Sequence, residues 1–124
     1  MKRGDYYNLQ PALIKHLVEQ EQLIKKAVET SFGLTIWELI KLRVSQINQC
    51  AFCIAMHTKQ AREYGETTNR IIGLSAWQDM PIYTKQERMA LKLCEKLTLA
   101  QPIDDTFYQS LSDTFSEQGL VALT

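Results

Sequence analysis

The sequence predicts an all-α protein, a compact bundle of about six helices in a single domain spanning residues 1–124. Three observations carry that prediction. Apolar residues recur at three- and four-residue intervals in every long segment, the spacing of one helix face, and no stretch alternates as a half-buried strand does. Helix starts and stops punctuate the chain: Thr-x-x-Glu at Thr35–Glu38 and Thr84–Glu87, glycine at Gly33 and Gly65, proline at Pro102. With 45% hydrophobic and 23% charged residues over 124 positions, there is enough apolar side chain to bury one real core.

The elements follow in order. From Pro11 to about Thr30, the pairs Leu13/Ile14, Leu17/Val18, Leu23/Ile24 and Ala27/Val28 describe an amphipathic helix, with His16 read as a surface residue. Ser31-Phe32-Gly33 breaks it. Thr35 then reads as the N-cap of a second helix with Glu38 at the third position of a capping box, and Ile36, Trp37, Ile40, Val44 and Ile47 make this the central buried helix. Ile47-Asn48-Gln49 is a corner, because Asn competes for backbone hydrogen bonds and tolerates non-helical angles. The next helix ends near Tyr64-Gly65, with Ala51, Ile54, Ala55, Thr58 and Ala61 as a small-residue packing stripe and Phe52 and Met56 on the opposite side. Thr67 or Thr68 caps a short helix through Ile71, Leu74 and Trp77, and Asp79-Met80-Pro81 turns the chain. The Thr84–Glu87 box opens a helix that carries Cys94 on its apolar face, the position of a small buried hydrophobe. Asp104 or Asp105 caps a last full helix through Phe107, Leu111 and Phe115, and a new helical pattern starts at Ser116 before the sequence stops at Thr124.

Fourteen basic and fourteen acidic residues cancel, leaving no electrostatic footprint for nucleic acid or an anionic membrane. No apolar run approaches the roughly 18–20 residues of a membrane span, and the opening Met-Lys-Arg-Gly-Asp-Tyr-Tyr lacks the apolar block of a signal peptide. A cytoplasmic location follows. In that compartment three cysteines are expected to be catalytic or metal-binding rather than structural disulfides.

The chemistry-bearing stretch is Glu38 to His57. Cys50, Cys53 and His57 stand at i, i+3 and i+7, within an arc of roughly 60° on one helix. Glu38 lies twelve residues before Cys50, about 18 Å away if the helix ran straight. A reversal near Asn48 changes this: Glu38 is ten residues before it and His57 nine after, so an antiparallel hairpin brings them level. Glu38 therefore has two readings, a helix cap and an orienting partner for His57, and one carboxylate can serve both.

The pattern Glu-x11-Cys-x2-Cys-x3-His resembles the active-site signature of the alkylhydroperoxidase D-like proteins of the carboxymuconolactone decarboxylase superfamily. Lys41-Leu42-Arg43, Ser45-Gln46-Ile47-Asn48, His57-Thr58, Leu74-Ser75-Ala76-Trp77 and Glu87-Arg88-Met89-Ala90-Leu91 are similar to that family too, and the likeness runs from about residue 5 to the C-terminus. Such proteins usually continue with one more apolar helix carrying an Asn-Ala-Trp-Asn-like motif. The present sequence lacks it, so the fold implied is the alkylhydroperoxidase D-like bundle without its last helix. One further departure is Phe52, where some relatives carry a second histidine before the second cysteine.

On the residues alone, three features favour a thiolate. Both cysteines fall in the first turn of a helix, where free N–H groups and the dipole stabilise an anion. The paired thiol can donate a hydrogen bond. His57 can take a proton, and Glu38 can orient His57. Spacing leaves open which cysteine attacks: Cys50 is nearer the helix start, Cys53 nearer His57. The resemblance implies that Cys53 takes the peroxide oxygen as a sulfenic acid, that Cys50 closes the disulfide, and that Glu38–His57–Cys53 relays protons. It implies a thiol-dependent peroxidase acting on an organic hydroperoxide or hydrogen peroxide. An external dithiol or reductase protein would restore the thiols, with no bound metal or organic cofactor. Three other readings compete. A zinc site could combine Cys50, Cys53 and His57 with Cys94 or His16, but structural zinc draws ligands from two knuckles and only one pair exists. Lactone decarboxylation names the superfamily, though members with that activity generally lack the cysteine pair. A non-catalytic interaction module is the third. Finally, a cysteine-bearing helix that is apolar on two sides, with Phe52 and Met56 turned outward, predicts a homo-oligomer.

Overall fold

The computed structural model describes residues 4–124. These form seven α-helices and one 3-10 turn: α1 Tyr6–Leu9, α2 Pro11–Ser31, α3 Leu34–Ile47, α4 Ala51–Glu63, α5 Thr68–Gly73, the 3-10 turn Leu74–Ala76, α6 Lys85–Thr98 and α7 Asp105–Leu123. Among the described residues there is no strand, and no helix is long and apolar enough to cross a membrane.

Helix α3 is the axis, packed chiefly against α4 on one side and α6 on the other. Two of its faces feed two apolar clusters. Ile36 and Ile40 pack with Ala90, Leu93, Cys94, Leu111, Phe115 and Leu120. Leu39 and Leu42 pack with Ala61, Ile71, Leu74, Trp77, Tyr83 and Leu91. Each fully buried leucine here removes a side chain worth about 1.5–3 kcal/mol from water. Between the clusters, Glu95 accepts hydrogen bonds from Arg43 Nε at 2.7 Å and Trp77 Nε1 at 2.8 Å, tying α3 and the 3-10 turn to α6. Arg70 likewise joins Glu66 and Glu87, pinning α5 to α6.

Capping chemistry sets most boundaries as the sequence predicts. Thr84 and Glu87 make the reciprocal capping box at α6. Thr67 caps α5, and Asp104, rather than Asp105, caps α7. Gly65, just past α4, has φ +88°, a conformation that costs glycine little. Ser116 breaks α7 with φ 62° and ψ 165°, and its Oγ accepts the Gly119 N–H at 3.2 Å, so the new helical start expected there is real.

Four expectations are corrected. Thr35 is not an N-cap: α3 begins at Leu34, two residues earlier than expected, after Gly33 at φ +92°, with no side-chain cap, and the Glu38 carboxylate is drawn inward to other partners. The packing stripe of α4 is Ile54, His57, Thr58 and Ala61, whereas Ala51 and Ala55 are exposed. His57 thus belongs to the packed face rather than bordering it. The short helix expected through Trp77 ends at Gly73 and tightens into the 3-10 turn. The apolar stripe of α2 is largely uncovered: only Val28 is buried, while Leu13, Leu17 and Leu23 are exposed. Helix α2 engages the bundle mainly through α7, and its first turns run beyond the core. The four-residue α1, capped by Asp5, accounts for the helix beyond the predicted six.

Candidate active site

The α3–α4 corner builds the site. Asn48 closes α3 through an N–H bond to Val44 O at 2.9 Å, and Gln49 then takes a left-handed φ of 54°. That residue reverses the chain, as glycine or asparagine commonly does after a helix. Cys50 follows in extended geometry as the N-cap of α4, its Sγ accepting the Cys53 backbone N–H at 3.3 Å. A sulfur at this position meets the unpaired N–H groups of the first turn and the positive end of the helix dipole. Cys50 and Cys53, both half-buried, are joined as a disulfide with Cα atoms 5.3 Å apart.

About one turn further along α4, His57 is 7% exposed and Glu38, across on α3, is 2% exposed. His57 Nδ1 lies 3.1 Å from Glu38 Oε2, so the hairpin brings the two level as the spacing predicts. The same nitrogen lies 2.9 Å from Gln60 Oε1. Two acceptors around Nδ1 require it to carry the proton, which leaves Nε2 of the neutral ring as the basic nitrogen. The other Glu38 oxygen, Oε1, faces Lys41 Nζ at 3.7 Å, and Lys41 also pairs with Glu21 of α2 and stands 3.8 Å from the centre of the Trp37 ring. Buried Glu38 is thus compensated on both sides, as a buried carboxylate must be.

The structure brings together Glu38 with His57, and Cys50 with Cys53. Among the described residues no hydrogen bond links His57 to either sulfur in this disulfide state. A disulfide sulfur has no proton to share, and Cys53 Sγ is held towards Cys50. His57 lines a cleft of about 440 Å³ with Met56 and Gln60, facing Ile14, Leu17 and Val18 of α2. Sequence reasoning missed Gln60 and Glu21 as partners and did not see that Lys41 touches Glu38. The signals were present as i, i+3 spacings, His57 to Gln60 and Glu38 to Lys41; the Glu21 link needs the path of α2.

Cys94 and His16, the two further ligands a zinc site would need to draw on, lie elsewhere. Cys94 is buried in α6, where burial, helped by the neighbouring Glu95 charge, pushes its thiol up to about 12. His16 is exposed and 3.2 Å from Glu19. Among the described residues no three His, Cys, Asp or Glu side chains are grouped to hold a metal ion.

With this geometry in view, likeness to known proteins becomes specific. The sequence profile of the carboxymuconolactone decarboxylase family matches residues 20–96, which contain the whole α3–α4 hairpin. The chain belongs to that family. Its bundle is AhpD-like: it superposes with a TM-score of 0.89 and 31% identity on a crystal structure from Agrobacterium tumefaciens, a protein of unknown function for which an AhpD-type antioxidant defence role has been suggested. The match covers 100% of this chain and 84% of that one. The chain is 40% identical to the uncharacterized protein YdfG of Bacillus subtilis over 98% of its own length and 82% of the relative's. It is 26% identical to the uncharacterized protein YnjA of Escherichia coli over 69% of its length and 48% of the relative's. Family membership points to an enzyme of peroxidase or decarboxylase type.

Proposed function

We propose that the protein is a cytoplasmic thiol-dependent peroxidase of the alkyl hydroperoxide reductase type, in which Cys53, Cys50, His57 and Glu38 are the catalytic groups and residues 1–124 act as one domain. The observation that carries this reading is the pairing of Cys50 and Cys53 at the start of α4, one turn from a buried histidine whose Nδ1 is held by Glu38. Decarboxylation of a lactone is redox-neutral and has no use for a dithiol–disulfide couple, so the cysteine pair favours peroxidase chemistry.

In the reduced state Cys53 Sγ is free of Cys50 and can turn towards His57, four residues on. His57 Nε2 takes the thiol proton, and the imidazolium so formed is stabilised by Glu38. The thiolate attacks the terminal oxygen of the hydroperoxide. The O–O bond breaks, Cys53 becomes a sulfenic acid, and the departing alkoxide receives the proton from His57 to leave as the alcohol. Cys50, its thiolate favoured by the Cys53 N–H, attacks the Cys53 sulfur; the S–S bond forms and water leaves with the Cys50 proton. Two thiols are oxidised and one peroxide is reduced. An external dithiol or reductase protein then attacks Cys53, Cys50 leaves as the better-stabilised thiolate, and the second thiol of the reductant releases Cys53. No bound metal or organic cofactor takes part.

We also propose that the chain works as a homo-oligomer. Phe52 is 74% exposed on the cysteine helix, Met56 is partly exposed beside it, and the bare α2 leucines add apolar surface that a second copy would cover. Trapping tests the division of roles. Cys50→Ser treated with cumene hydroperoxide should yield a dimedone adduct at Cys53, and Cys53→Ser should consume no peroxide. A Cys50 adduct in the Cys53→Ser protein reverses the assignment.

A further inference from the structure

A roomy cavity lies away from the cysteines, between α6 and α7 beside the 3-10 turn. It measures about 710 Å³, well within the range of small-ligand sites. Trp77, Met89 and Phe107 give it an apolar floor, and none of Cys50, Cys53, His57 or Glu38 lines it. Lys85, Arg88 and Lys92 border it against one carboxylate, Asp113: three cations to one anion, a local excess of two in a chain whose charges cancel overall.

These cations are not paired as the half-buried Lys41, Arg43 and Arg70 are, each of which meets a carboxylate within the core. Among the described residues none of Lys85, Arg88 and Lys92 has a carboxylate oxygen within 4.0 Å. Arg88 donates to the carbonyl oxygens of Trp77 at 3.0 Å, Gln78 at 2.6 Å and Met80 at 3.0 Å. Those bonds fix its guanidinium 5.3 Å from the Trp77 ring centre, but carbonyls do not cancel its charge. Lys92 Nζ stands 4.5 Å from the centre of the Phe107 ring, a contact that orients the ammonium and leaves it charged. The Asp113 carboxylate already accepts a bond from Gln109 at 2.9 Å.

We propose that this cleft binds a small amphipathic carboxylate, an aliphatic or aromatic acid whose head is held by Lys85 and Lys92 while its apolar body lies on Met89 and Phe107. The donor set selects the head group. Three of the five Arg88 donor hydrogens go to carbonyls, which leaves Lys85 and Lys92 as the freer cations, and two solvated ammonium groups suit a single carboxylate. The floor selects the body, since a polyanion would leave it uncovered. With about ten ligand atoms and exposed lysines, the expected dissociation constant is about 0.1–1 mM.

Octanoate is the probe, and methionine methyl groups are the reporters. In the full chain labelled with [13C-methyl]methionine, Met89 reports on this cleft and Met56 on the cleft at His57. Resonances are assigned with Met89→Leu and Met56→Leu. Octanoate should move the Met89 signal saturably and leave Met56 in place, while octanol, which lacks the charge, should bind about tenfold more weakly or worse. Lys85→Ala/Lys92→Ala should weaken octanoate by about tenfold with an otherwise unchanged methyl spectrum. No saturable shift at Met89 up to about 10 mM, roughly tenfold above the weakest expected constant, would overturn the proposal. So would a response at Met56 alone, octanol binding as tightly as octanoate, or undiminished binding by the double lysine variant.

Discussion

Replacing Glu38 by glutamine keeps the shape of the buried side chain, removes its charge and turns one of its two acceptor oxygens into a donor amide. The structure allows the cost to be worked out. A hydrogen bond to a charged acceptor contributes about 1.5–3 kcal/mol and a neutral one about 0.5–1.5, so the 3.1 Å contact with His57 weakens by about 1 kcal/mol. Lys41 loses its 3.7 Å partner but keeps Glu21, so this second loss adds less than about 1 kcal/mol. The total of about 1–2 kcal/mol lowers the melting temperature of a domain this size by about 4–8 °C. Function should suffer far more. Without the carboxylate the imidazolium formed at His57 is not stabilised, and Cys53 should lose about 10²-fold in alkylation rate at neutral pH. The assay is iodoacetamide alkylation of the reduced protein, resolved at the Cys53 peptide by mass spectrometry across the pH range, beside thermal unfolding. The Glu38→Gln profile should move to higher pH, and that of His57→Ala further still. If both profiles match the unmodified protein while the melting temperature falls, Glu38 and His57 are packing residues and the relay is wrong.

Other outcomes follow from particular side chains. Cys94 has its thiol raised from 9.0 to about 12 by burial, so the folded state retains a proton that the unfolded chain gives up. Stability should therefore fall between about pH 9 and 12 at up to about 1.4 kcal/mol per pH unit, a slope that Cys94→Ala should lack when the two denaturation series are compared. Leu42, fully buried between α3 and its neighbours, should cost about 2–5 kcal/mol in denaturant unfolding when cut to alanine. Light scattering should show an oligomer for the unmodified chain and a smaller species for Phe52→Glu/Met56→Glu; a monodisperse monomer of the unmodified 14.3 kDa chain removes the oligomer proposal.

Much of this was legible in the sequence because it is local. Helix periodicity, the Thr84–Glu87 box, the glycine after α4 and the Ser116 restart all depend on residues within a few positions of one another. The Glu38–His57 pairing could be read because a single corner relates the two residues, and counting from Asn48 is enough. What the sequence hid depends on tertiary placement. Thr35–Glu38 fits a capping box, yet His57 and Lys41 offer the buried carboxylate better partners than a backbone N–H at the helix start. The stripe on α2 satisfies helical periodicity, but periodicity does not say what covers it, and in this fold its first turns pass beyond the core. Gln60 is three residues from His57, but its role appears only once the ring faces both it and Glu38.

The central claim is that Cys50 and Cys53 are oxidised together by hydroperoxide, and a thiol count tests it most directly. The fully reduced protein is treated with one equivalent of cumene hydroperoxide, quenched, denatured and titrated. The account predicts a fall from three thiols per chain to one, with the surviving thiol mapping to buried Cys94 and one equivalent of alcohol formed. Three thiols remaining, with the hydroperoxide intact, would contradict it.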